Sequence, residues 1–178
     1  VDDLFASYML EYHPEIRRLQ EEDRERARIE LRMYAEKFKK MWGSQYAAAP
    51  NRENLKLPFQ TQLLEGRLPV RVLMDVETIR RILEPVLCPD LSLADVQPMD
   101  PSTAFDDPPF TDRLNTFVVP VLELLLKARQ NMGKLPRLDG VLLDGGMTLF
   151  PLVRERLKTL FGAVPLLTHG HPDHAVGR

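Results

Sequence analysis

The feature that most constrains this chain is a short apolar run, Gly140-Val141-Leu142-Leu143-Asp144, closed by Gly145-Gly146 and followed by Pro151 and an amphipathic stretch to Phe161. So short an apolar run between turn residues reads as a short buried strand. Two glycines take backbone angles that other residues resist, so the chain can turn sharply after that strand. Proline at a first helical position has its φ preset and lacks only an N–H that would be unpaired there. The expectation is strand, tight turn, helix. The unpaired N–H groups and positive dipole end of that helix suit a phosphate brought close to the glycine backbone. Taken alone, the same pattern also describes a turn with no ligand.

The rest of the chain sets the frame. Its 178 residues are 44% apolar and 28% charged, the proportions of a folded globular protein. That length holds one ordinary domain, or two small subdomains sharing a core. A net charge of −2 gives no electrostatic case for nucleic acid or an anionic membrane as partner. No apolar run approaches the roughly 20 residues that cross a bilayer. Cys88 is the single cysteine, which excludes an internal disulfide and leads us to expect a reducing, cytoplasmic setting. Val1 in place of an initiating Met, and a stop at Gly177-Arg178, lead us to expect a fragment of a longer protein.

The spacing predicts a helix from Asp2 to about Tyr12, an interruption at His13-Pro14, and a long helix from about Glu15 to Trp42. Ala27, Leu31, Tyr34, Ala35, Phe38, Met41 and Trp42 form its apolar stripe, and Gly43 is the expected stop. Leu55, Leu57 and Phe59 alternate with polar residues and Pro69 to Met74 is β-rich, so a small antiparallel meander turning at Gly66 is expected. Asp75 is a natural N-cap for a helix Val76 to Leu87. Cys88 to Thr116 holds five prolines and a cluster of Asp and reads as an irregular insertion. A helix from Val118 to Asn131, stopped by Gly133, leads into the strand–turn–helix. The fold class expected is α/β or α+β. Residues 1–90 form an outer subdomain of long helices and antiparallel strands, 88–116 the insertion, and 117–178 part of a core subdomain.

Two further constellations carry possible chemistry. Glu36, Lys39, Lys40 and Gly43 fall at i, i+3, i+4 and i+7, on one helix face turned away from the apolar stripe. A carboxylate there can accept from ribose hydroxyls while an aliphatic cationic stem lies on a base. The same spacing also describes a solvated face of i,i+4 pairs. The second is His169-Gly170-His171-Pro172-Asp173-His174, which spells the HxHxDH pattern of zinc-dependent metallo-β-lactamase-type hydrolases. Such sites need further ligands downstream, and only four residues follow His174. The long charged helix near the N-terminus is also foreign to that fold.

In order, these segments resemble the second lobe of the DnaK-type seventy-kilodalton heat-shock chaperones, members of the actin-like ATPase superfamily. Val141 to Lys158 is similar to the family's VLVGGSTRIPxVxxxLK element, and His171 to Arg178 to its NPDEAVAxG. Leu31 to Ser44 is similar to its LRxxxExxKxxLSS helix, and Asp75 to Ile79 to the start of its TRxxFE helix. The likeness covers nearly the whole chain apart from 88–116. It implies a partial ribonuclease-H-like core with a helix-and-sheet outer subdomain, and a chaperone ATPase active in the stress response.

The resemblance also implies roles. Glu36 and Lys39 would contact the ribose, and Lys40 would lie along the adenine in place of the family's Arg. Gly43 stands where the family has a Ser bonding the adenine edge, a contact that neighbouring Ser44 would have to supply. Gly145 and Gly146 would approach the phosphates and ribose. Met147 replaces a Ser, and Leu149 replaces the Arg that covers the other adenine face. Asp173 would support the base-side pocket. ATP or ADP with Mg²⁺ is the implied cofactor of the intact protein, and the first lobe of the same chain supplies the catalytic groups. The lobe alone is therefore expected not to turn over ATP. Co-chaperones or exchange factors are the implied partners of the outer subdomain. The alternative is a degenerate lobe that has lost nucleotide chemistry and serves as a protein-interaction module.

Overall fold

Phe5, Ala6, Met9 and Leu10 on one helix, and Ala27, Leu31, Ala35, Phe38, Trp42 and Tyr46 on another, bury completely or nearly so, and they set the packing of the first part of the chain. In a computed structural model the chain is an α+β protein that divides into two units, Val1–Leu83 and Glu84–Arg178. The structure describes residues 1–96, 100, 116–144 and 146–168. The expected insertion therefore lies largely outside the described residues, as do Gly145, the histidine cluster and Asp173.

In the first unit, α1 (Asp2–Tyr12) and the short α2 (Pro14–Arg17) pack on α3 (Glu21–Ala48). The break lies at residues 18–20 as well as at His13, so the long helix begins later than the sequence suggested. It also runs straight through Gly43. Glycine inside a helix costs about 1 kcal/mol relative to alanine, but continuing for another turn buries Tyr46. Its ring stacks on Trp42 with centroids 4.8 Å apart, and it is 1% exposed. Burial of one aromatic ring outweighs the cost of the glycine.

The expected meander is a two-stranded hairpin. β1 (Lys56–Leu63) pairs antiparallel with β2 (Leu68–Asp75), Phe59 opposite Val72 and Thr61 opposite Val70. Phe59, Thr61 and Leu63 alternate inward along β1, the period-2 signature of a half-buried strand. The turn has three successive residues at positive φ, Leu64, Glu65 and Gly66. Only the last is glycine, so the turn needs outside support. The Leu64 N–H donates to the Glu30 carboxylate on α3 at 3.0 Å, and the Arg67 Nε–H donates to the Leu64 carbonyl at 3.0 Å.

Helix α4 (Val76–Leu87) opens as expected on Asp75, whose carboxylate accepts the Thr78 N–H at 2.9 Å. That backbone hydrogen bond is the main reason the Asp75 carboxyl sits below its ordinary value. A depressed carboxyl stabilises the fold above its unfolded-state pKa, and the contribution is lost as pH falls through the folded-state value. Asp75→Ala should cost about 1 kcal/mol in urea unfolding at neutral pH. The deficit should shrink as pH falls through and below the ordinary carboxylate range, where wild-type Asp75 protonates too. A deficit that stays constant across that range would show that the charge has no part in the cap.

The division between units falls within α4, earlier than the boundary near 88–90 that composition suggested. The last turn of α4 is fixed to the second unit. The Thr116 hydroxyl donates to the Val86 carbonyl at 2.7 Å and accepts the Val118 N–H at 3.0 Å. A one-turn helix, α5 (Leu93–Val96), then stands where irregular chain was expected. α6 (Val118–Met132) buries Val118, Leu122 and Leu126 and ends at Gly133, in the left-handed conformation at φ 70°. β3 (Val141–Leu143) pairs parallel with β4 (Leu166–Thr168), and α7 (Pro151–Phe161) joins them with Pro151 at its start. The strand is less buried than its apolar run suggested. Leu143 is 3% exposed, whereas Leu142 and its register partner Leu167 are 67% and 53% exposed.

Candidate functional site

Helix α3 turns about 100° per residue, so Glu36 and Lys40 stack one turn apart while Lys39 lies closer to the buried stripe. The structure follows that geometry. Lys40 Nζ donates to Glu36 Oε1 at 2.8 Å on an exposed stretch of helix. The Lys40 hydrogen bond holds the Glu36 carboxyl below its ordinary value, so it is ionised at neutral pH. Lys39 instead reaches α1. Its ammonium donates to both carboxylate oxygens of Asp2, at 2.9 and 3.3 Å, with its own side chain only 15% exposed. Glu36 and Lys40 are therefore brought together, and Lys39 is engaged in holding two helices of the first unit to each other.

Gly43 is buried within α3. The Ser44 hydroxyl, one residue on, donates to the Lys40 carbonyl at 3.0 Å in an i−4 bond. Ser44 is thus exposed to solvent but turned back on its own helix, the usual state of a mid-helix serine. Ile29 and Met33 are 54% and 65% exposed. They lie on the same outward side of α3, two turns and one turn respectively before Glu36, a neighbourhood that sequence reasoning passed over. Their spacing of four residues was the available signal.

In the second unit, Gly146 to Leu149 form a 3₁₀ turn between β3 and α7. The Met147 carbonyl accepts the Phe150 N–H at 3.1 Å, and the Phe150 carbonyl accepts the Val153 and Arg154 N–H groups at 3.1 and 3.2 Å. Met147 is half-buried. Gly145, the Leu149 side chain and Asp173 lie outside the described residues, as do His169, His171 and His174. Among the described residues no group of His, Cys, Asp and Glu is gathered to hold a metal ion.

A residue the sequence did not single out is Arg156. It is 8% exposed on α7, and its guanidinium donates to the carbonyls of Leu87 and Cys88 at 2.7 Å each and to that of Leu91. Burial pushes its pKa below the ordinary arginine value, opposed by Cys88 and Asp90. The interaction is structural: a planar fork of donors closes the carbonyls left over where α4 ends.

Compared with known proteins, the chain matches no family model, no curated protein and no solved structure. No helix among the described residues is long and apolar enough to cross a membrane.

Proposed function

We propose that the chain is a nucleotide-binding lobe of a DnaK-like, actin-type chaperone ATPase that binds ATP or ADP but does not hydrolyse it alone. The observation that supports this reading most is the order of elements in the second unit. Strand β3, the glycine turn, α7 opening on Pro151 and the parallel return to β4 carry a sequence similar to that family's phosphate-side element. A glycine turn leading into a helix start offers N–H donors and a positive dipole end to a phosphate. Within the first unit, the resemblance gives the ionised Glu36 the role of an acceptor for ribose hydroxyls and the Lys40 stem that of a surface for the base. Lys39 would exchange Asp2 for the ribose. Turnover would need phosphate loops and a metal-associated carboxylate from another lobe.

Titration calorimetry of the intact protein with Mg-ATP, Mg-ADP and Mg-GTP tests this. Binding should be saturable, and Glu36→Gln should weaken it about tenfold, the effect of one charge-assisted hydrogen bond. No heat with any of the three would remove the reading. Appreciable turnover by residues 1–178 alone would contradict the second half of it. The alternative, an interaction module without nucleotide chemistry, is favoured by one observation. Leu142 and Leu167 are exposed register partners on a parallel pair of strands, and parallel sheets are ordinarily covered on both faces.

A further inference from the structure

We infer that a groove in the first unit, between the His13–Arg18 segment and the β1–β2 hairpin, docks an acidic peptide segment of a partner protein through one of its carboxylates. The groove has a volume of about 1090 Å³ and is lined by His13, Arg18, Thr61 and Arg71 among others. Two of its side chains have buried polar atoms without a hydrogen-bond partner, His13 Nδ1 and Thr61 Oγ1. Thr61 is 8% exposed and stands in the inward series Phe59, Thr61, Leu63, where a valine of the same shape would pack equally well. Buried donors and acceptors are nearly always paired, so two orphans lining one groove point to a group that supplies their partners.

The charges say what kind of group. Arg32 and Arg80 of the same unit are paired with Asp3 at 2.9 Å and Glu53 at 2.7 Å. Arg18 and Arg71 have no such carboxylate among the described residues, and Glu15 is the acid that lines the groove with them. Two guanidinium groups against one carboxylate leave an excess of positive charge, which suits an added carboxylate. A carboxylate accepts up to about four hydrogen bonds, enough for the Thr61 hydroxyl, an imidazole N–H and the Arg18 guanidinium, while Arg71, opposite Gln60 on the exposed face of the hairpin, meets a neighbouring part of the peptide. The groove is far larger than that one group. Gln60 and Gln62, exposed on the hairpin and lining the same groove, offer amide donors and acceptors suited to the peptide backbone around it.

The test uses the intact protein and a fluorescent, end-blocked hexaglutamate peptide followed by anisotropy, with succinate and inorganic phosphate as competitors. Saturable binding is expected, with the backbone amide signals of His13 and Thr61 shifting on titration. Arg18→Gln and Arg71→Gln should each weaken it at least tenfold. Both arginines are exposed, so neither change should disturb folding. Thr61→Val should weaken binding without lowering Tm. No saturable binding, or binding indifferent to both arginine changes, would overturn the inference. So would displacement by phosphate at lower concentration than by succinate, which would make this an inorganic anion site.

Discussion

Replacing Phe38 by alanine should unfold the first unit under conditions where the wild type stays folded, with a loss of about 4 kcal/mol in chemical denaturation. Phe38 is 4% exposed and is the ring where three elements meet. It lies edge-on to Phe5 of α1, with centroids 6.0 Å apart, and edge-on to Phe59 of β1 at 5.3 Å. Truncation removes the transfer energy of a phenyl group, leaves a cavity, and ends two edge-to-face contacts of about 1 kcal/mol each. Phe38→Leu fills much of the space and should cost roughly half as much. A loss under about 1 kcal/mol for the alanine variant would mean that α1 and the hairpin are not held through this ring.

Arg156→Ala should destabilise the second unit by about 3 kcal/mol, because charged hydrogen bonds are lost and three carbonyls of the 87–91 stretch are left dry. Arg156→Lys should recover little. One ammonium cannot reproduce a fork whose Nε and Nη2 donate separately to Leu87 and Cys88. Thermal and urea unfolding of the three proteins provide the comparison. A lysine variant as stable as wild type would show that charge, not the shape of the guanidinium, matters there.

The local features were legible in the sequence because local rules govern them. Asp75 caps α4, Gly133 ends α6 in a left-handed turn and Pro151 starts α7, each as backbone chemistry dictates. Gly43 misleads for the converse reason. Its propensity to end a helix is overridden by burial of Tyr46, a tertiary effect no window of sequence contains. The same limit applies at the candidate site. The Glu36–Lys40 pair follows from an interval of four residues, whereas the Lys39–Asp2 bond links positions 37 apart and emerges only when α1 lies on α3. Arg156 was invisible because an arginine in an amphipathic helix ordinarily points to water.

The two hydrogen-bonding knots in the second unit have an effect on the chain between them. Arg156 holds the carbonyls of residues 87, 88 and 91, and Thr116 is tied to Val86 at 2.7 Å. The strand of polypeptide leaving α4 and the one entering α6 are thus clasped at nearly the same spot. Once the ends of a loop are clasped, doubling its length costs only about 0.6 kcal/mol in closure entropy. A change in chain length between the two clasped points should therefore cost this protein little in closure entropy.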